Sequence, residues 1–251
     1  MLYDCHAHFY PPNFTSEEIL ELSGFHVLSV SENLKEAVSI LELSQKNPLV
    51  HACAGLHPVQ QRGQSVAIED WGPMGEFISR NQQKLVAIGE CGLDFSTPDL
   101  KANKDVQQQV FQKHIDAALK YQLPLNVHSR DAGHYAIDQL IQSNAIGLMH
   151  AFNGKTSYAL KGASHGLYFS IPPIIARESS FEKLVKALPM DKLVLESDAP
   201  ALSPVKGVKN AIENITVSVR EISKLKNVSI ETVERLTTEN ALKLFPKLLL
   251  A

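Results

Sequence analysis

The chain of 251 residues has no apolar stretch approaching the roughly 20 residues that span a bilayer, so a helical membrane protein is excluded. Its opening, Met1-Leu2-Tyr3-Asp4, lacks the basic start and apolar core of a signal peptide, and a cytoplasmic location is expected. No Pro-, Gly- or Ser-rich linker divides it, which predicts one domain over residues 1–251. Cysteine is scarce: Cys5, Cys53 and Cys91 are an odd number, each in or beside a predicted buried strand. A disulfide framework is therefore not expected, and reduced, core-packed thiols are. Positive charge is not in excess either, with 24 Lys+Arg against 27 Asp+Glu and a net charge of −3. That argues against a protein that coats long duplexes by bulk electrostatics. It leaves room for a site where bound divalent ions and a few loop cations supply the positive field locally.

What the chain does have is a set of seven acidic or imidazole side chains, each near the end of a short apolar run. They are His6, His8, His57, Glu90, His128, His150 and Asp198. In an extended segment His6 and His8, two residues apart, project from the same face. Two imidazoles on one face, joined by distant carboxylates and imidazoles, make a metal site assembled from across the fold.

The runs themselves set the architecture. Strands are predicted at 2–5, 25–30, 49–56, 84–89, 124–127, 146–149, 167–171 and 193–195. Helices are predicted near 33–45, 68–81 and 105–121, where Val106, Val110, Ile115 and Ala118 recur near helical spacing. Two more close the chain near 211–225 and 230–245, with Ser229 as N-cap of the second. The strands read as near-continuous apolar runs, as in a parallel sheet covered on both faces. Eight such units predict an α/β fold, a (β/α)8 TIM-type barrel with an extra C-terminal helix. The second unit carries the weakest signal, because Gly24-Phe25-His26-Val27 also reads as a loop. In such barrels the active site lies at the C-terminal strand ends, where the seven residues fall.

Imidazole with carboxylate suits Zn2+, Mn2+ and similar ions, and carboxylate with water also suits Mg2+. His6, His8, His128, His150, Glu90 and Asp198 exceed the needs of one open catalytic ion. They match two ions bridged by a carboxylate, an arrangement suited to hydrolysing phosphodiesters.

At these positions the sequence resembles the TatD family of metal-dependent deoxyribonucleases. The likeness is carried by Asp4-Cys5-His6-Ala7-His8-Phe9, Gly55-Leu56-His57-Pro58 and Ala87-Ile88-Gly89-Glu90-Cys91-Gly92-Leu93-Asp94. It continues through Leu123-Pro124-Leu125-Asn126-Val127-His128-Ser129-Arg130, His150-Ala151-Phe152-Asn153-Gly154 and Glu196-Ser197-Asp198-Ala199-Pro200. The resemblance implies one ion held by His6, His8 and Asp198, a second by His128 and His150, and Glu90 bridging them. It makes Asp198 the general base beside Glu90 as catalytic groups. His57 then touches substrate phosphate or its water network, Arg130 offers its fork to a phosphate, and Asp94 orients a ligand. Lys209 and Asn210 stand where the family commonly has Arg-Asn, and are expected to bind substrate. Lysine keeps the charge but loses bidentate geometry. The loop after Asp94 (Phe95-Ser96-Thr97-Pro98) lacks the paired tyrosines frequent there, so base stacking from it is not expected.

The function implied is hydrolysis of DNA phosphodiesters, in the manner of a 3′–5′ exonuclease on single strands. Mg2+ or Mn2+ would support activity, with Zn2+ an alternative bound ion. The substrate would be DNA or a nucleotide phosphoester, with no membrane and no obligate protein partner. Rival readings are an amidohydrolase-type barrel acting on a small cyclic amide or ester, and a catalytically silent metal-binding protein. Among the remaining histidines, His26, His51, His114, His134 and His165 read as surface or core residues. Arg130 has an alternative partner in Asp131. Lys155, Lys161, Arg177 and Lys206 flank strand-end loops and read either as a phosphate rim or as solvated charges.

Overall fold

The computed structural model describes residues 1–249. Eight parallel strands pair in chain order: β1 (Leu2–Ala7), β2 (Phe25–Ser29), β3 (Val50–Ala54), β4 (Ala87–Gly92), β5 (Leu125–His128), β6 (Gly147–Met149), β7 (Tyr168–Ile171) and β8 (Leu193–Leu195). The first helices are α1 (Ser16–Leu20), α2 (Leu34–Lys46), α3 (Trp71–Asn81), α4 (Pro98–Ala102) and α5 (Lys104–Tyr121). They continue with α6 (Gly133–Gln142), α7 (Thr156–Ser164), α8 (Ser179–Ala187), α9 (Ile215–Lys226) and α10 (Ile230–Leu244). The second unit is a strand after all, with Leu2 opposite Phe25 and Asp4 opposite Val27.

The sheet curls far enough for its ends to meet. Beyond the last paired residues of β8, the Asp198 amide donates to His6 O at 2.9 Å and the His8 amide to Ala199 O at 2.9 Å. The Ser197 amide adds a bond to the Asp4 carboxylate at 2.8 Å. This is the predicted (β/α)8 barrel, with its last seam between β8 and β1.

Two glycines bring β4 against β5. The sequence suggests that Gly89 and Gly92 permit tight turning beside Glu90; in the fold they permit close approach. A β-carbon at Gly89 would collide with the backbone oxygen of Asn126, and one at Gly92 with that of His128. Both also have φ in the region that disfavours other residues, +156° and +137°. Their absence of side chains sets Glu90 beside His128.

The apolar residues form three clusters, the smallest gathering Phe9, Phe14, Ile19 and Val27 around α1. Strand residues such as Ile88, Leu125, Phe169 and Leu195 pack outward on Ile115, Ile137, Val185 and Ile222 of the helices. A second cluster draws Cys5, Leu28, Cys53, Ala87, Leu148, Tyr168 and Val194 together from seven strands. Only the barrel interior can be shared by so many strands. Leu244, Phe245 and Leu248, at and beyond the end of α10, complete this cluster and plug the barrel floor. The three cysteines are free and buried, Cys5 and Cys53 within this plug.

Some helices differ from expectation. The helix predicted at 211–225 begins instead with a 3-10 turn, Ile212–Asn214, before α9. Asn210 Oδ1 accepts from both the Ala211 amide and Asn214 Nδ2, which holds the chain in a tight turn first. α10 begins as predicted, with Ser229 Oγ accepting the Thr232 amide at 3.2 Å. Among the described residues no helix is long and apolar enough to cross a membrane.

Candidate metal centre

Five of the eight strands deliver side chains to one place: His6 lies within β1 and Glu90 within β4, His128 ends β5, and His150 and Asp198 follow β6 and β8. Glu90 is almost fully buried at the centre, and its two carboxylate oxygens face different partners. Oε2 lies 3.6 Å from His6 Nε2 and 3.5 Å from His8 Nε2. Asp198 Oδ1 lies 3.5 Å from the same nitrogen of His6 and 3.6 Å from that of His8. Oε1 faces the other way, 2.9 Å from His128 Nδ1, 3.2 Å from His150 Nε2 and 3.5 Å from His57 Nε2.

The first group of contacts is not a hydrogen-bond network. Separations of 3.5–3.6 Å are too long for good N–H···O bonds. They match the roughly 3.4 Å between tetrahedral ligands that each sit about 2.1 Å from a common ion. His6 Nε2 and Glu90 Oε2 are buried with no hydrogen-bond partner. The tautomer of His6 explains why. Asn126 Nδ2 donates to Cys5 O at 2.8 Å, so its Oδ1 is the acceptor facing His6 Nδ1 at 2.7 Å. Nδ1 therefore carries the proton, and Nε2 turns a lone pair toward two carboxylates. Lone pair against carboxylate is repulsive unless a cation stands between them. The donor set fits a divalent ion.

The second group is held by carboxylates behind it. His128 Nε2 meets Asp94 Oδ2 at 3.0 Å, leaving Nδ1 for Glu90. His150 Nδ1 meets Glu196 Oε2 at 3.3 Å, leaving Nε2 for Glu90. Glu196 is itself fixed, accepting from the Ala151 amide at 2.9 Å and from Ser170 Oγ at 2.7 Å. A carboxylate behind a ligating imidazole sets its tautomer and raises its basicity. His57 has Nδ1 engaged with Val59, 2.8 Å from its carbonyl, so that Nε2 points inward.

The buried groups are shifted in opposite directions. Burial drives His6 well below the usual imidazole range, with the His150 charge adding to the effect. Burial likewise pushes the Asp198 carboxyl well above its usual value. Burial opposes ionisation of Glu90, but His57, His6 and His150 hold it well below. For His150 the burial penalty is overcome by Glu196 and Glu90, which raise it well above. Asp94 is brought to about 2, against its burial, by the His128 and Ser96 hydrogen bonds.

The donors open into a cleft of about 910 Å³, lined also by Tyr10, Glu32, Arg130, Asn153 and Phe181. Arg130 is exposed there and has no ion pair among the described residues, not even with Asp131. The two other residues expected to bind substrate lie elsewhere. Lys209 sits over the Phe14 ring at 4.3 Å and 3.4 Å from Glu18 Oε1. Asn210 is buried, its amide donating to Ser197 O at 2.6 Å. Neither lines the cleft. Of the four cations flanking strand-end loops none lines the cleft; Lys161 pairs with Asp138 at 2.7 Å, and Arg177 Nε donates to Ser203 O at 3.2 Å.

Two supporting residues stand in the quoted motifs but had no role assigned from sequence. Glu196, directly after the apolar run Leu193-Val194-Leu195, and Asn126, between Leu125 and Val127, are polar groups in buried strand context. That placement is the signal for them.

Comparison with known proteins agrees with this geometry. The model of the TatD related DNase family matches residues 3–246. The chain is 41% identical to deoxyribonuclease TATDN3 of Homo sapiens, covering 98% of this chain and 95% of that protein. It is 30% identical to YabD of Bacillus subtilis, an uncharacterized metal-dependent hydrolase, over 98% of this chain and 99% of that one. Among solved structures, the TatD homolog YJJV of Escherichia coli superposes with a TM-score of 0.86 at 23% identity, covering 98% of both chains. The whole length of the barrel, from the His6-Ala7-His8 strand to the helix that plugs its floor, belongs to the TatD related DNase family.

Proposed function

We propose that this protein hydrolyses phosphodiester bonds in DNA, trimming single strands from their 3′ ends with two divalent ions. The observation that carries the reading is the division of Glu90: one oxygen faces His6 and His8, the other His128 and His150. A carboxylate so placed suits a bridge between two cations. His6, His8 and Asp198 would hold one ion, and His128 and His150 the other. Two divalent ions held there supply Lewis-acid charge to phosphoryl oxygens and acidify water near neutral pH.

The protein's own groups supply the rest. Asp198 borders the cleft with its side chain 11% exposed, placed to accept a proton from attacking water. Glu90 keeps its charge under the imidazoles around it, as a bridging ligand must. Arg130, which has no ion pair among the described residues, can grip a phosphate with its planar fork. His57, 3.5 Å from Glu90 Oε1, lies close enough to hold the substrate side of the second group in register. Asp94 and Glu196 keep His128 and His150 turned inward.

The test is release of nucleotide from 3′-labelled single-stranded DNA with Mg2+ or Mn2+, repeated with chelator, alongside metal analysis. Release that chelator abolishes, with two ions per chain, is expected. Turnover of a cyclic amide or ester in place of DNA would favour the amidohydrolase reading.

A further inference from the structure

The lining of the cleft is unequally divided. On the side of β5 and β6 it presents Ser129, Arg130 and Asn153, polar groups that follow His128 or His150. On the side of β7 and β8 the lining is richer in apolar groups, with Ile174, Phe181, Pro200 and Leu202 beside the polar Glu178 and Ser180. Ile174 and Phe181 are buried members of the main core, so this wall is preformed.

Charge is unequal as well. Five carboxylates line the cleft (Glu32, Glu36, Glu90, Glu178 and Asp198), against a single guanidinium, Arg130, and no lysine. Glu90 and Asp198 belong to the donor set, which leaves Glu32, Glu36 and Glu178 around the mouth. Glu36 is committed to the Glu32 amide and Asn33. Glu178 is matched only by its half-exposed neighbour Arg177 at 3.6 Å.

We infer that the cleft accepts one nucleotide unit at a time, a single phosphoester whose nucleobase lies on the Ile174–Phe181–Leu202 wall, and favours short phosphodiesters over long strands. This rests on the phosphodiesterase reading above and narrows its substrate. A cleft of about 910 Å³ is at the upper end of small-molecule pockets, roughly 300–1,000 Å³, a size that suits one nucleotide unit. Apolar groups beside a charged centre give a planar base a dry surface while its phosphate remains at the donors. Proteins that hold long single strands do so with a positively charged groove along the backbone. Here each phosphate beyond the first meets carboxylates at the mouth, and no counterion release compensates.

The test compares thymidylyl-3′,5′-thymidine with an oligothymidylate of about 20 nucleotides, at fixed Mn2+ and varied monovalent salt. We expect kcat/KM per 3′ end for the dinucleotide to equal or exceed that of the strand. The log–log salt slopes of the two should differ by less than about 0.7, the contribution of one phosphate on a single strand. A terminal abasic sugar in place of the terminal nucleoside should raise KM about tenfold or more. Glu178→Lys should raise kcat/KM for the strand several-fold more than for the dinucleotide.

A strand preferred tenfold or more, with a slope steeper by about 1.4 or more, would overturn the inference. So would an unchanged KM for the abasic substrate, or an equal effect of Glu178→Lys on both substrates. Turnover of neither substrate by metal-loaded protein would remove the phosphodiesterase reading itself, a result distinct from the other failures.

Discussion

The two ends of the barrel are built from the same eight strands and solve opposite problems. At the N-terminal end Leu244, Phe245 and Leu248 complete a wholly apolar cluster with Cys5, Leu28 and Val194. At the C-terminal end His6 Nε2 and Glu90 Oε2 are buried and unpartnered. One end gives stability from the chain alone; the other gives up part of it to donors that the chain leaves unsatisfied and that suit a cation. The same barrel therefore tolerates change differently at its two faces, stability residing in the floor and chemistry at the rim.

Asp198→Asn tests the contrast most severely. Removal of a general base costs roughly 10²–10⁴-fold in rate, so nucleotide release should nearly vanish. Because the carboxyl it replaces is buried among other acids, thermal stability of the metal-free protein should hold or rise. A melting temperature that falls by many degrees would erase the distinction between the ends.

Phe245→Ala is the converse. Its ring is fully buried in the floor, and such truncations cost about 3–5 kcal/mol. Chemical denaturation should register that loss, while metal stoichiometry in the folded protein stays the same.

His114 sharpens the comparison, being a buried imidazole that the protein satisfies unaided. Nε2 accepts the Leu56 amide at 3.0 Å and Nδ1 donates to Val110 O at 2.8 Å. Burial lowers its pKa from 6.5 to about 4, so the folded state binds fewer protons than the unfolded chain between those values. Its contribution is thus full above pH 6.5 and is lost as pH falls toward 4, up to about 3 kcal/mol. Denaturation of wild type and His114→Gln across that range should show the steeper decline in wild type.

The smallest effect is expected at Ser229→Ala, which removes the cap of the helix leading into the floor plug. About 1 kcal/mol should be lost, with hydrolysis untouched.

The sequence made the donor set legible because each donor interrupts or ends an apolar run, a placement that buried strands otherwise avoid. His6, His8, His57, Glu90, His128, His150 and Asp198 are all brought together. Strand existence was legible for the same reason, even at the ambiguous second unit. Lys209 and Asn210 were not, because the fate of a loop residue depends on what the loop meets. Lys209 finds Glu18 and Phe14 on α1 and the loop before it, a helix too short to leave a clear period. The plug was hidden for a related reason: a C-terminal Leu-Phe-Pro-Lys-Leu run reads as an ordinary helix end until the sheet curls around it.

The seam between β8 and β1 links these regions. The amides that fasten it belong to Asp198 and His8, whose side chains also face each other at 3.6 Å in the first donor group, and one of their acceptors is His6. Filling of the proposed cation site is therefore expected to tighten the hoop. Addition of Mn2+ is expected to slow amide exchange along the first and last strands without any substrate present.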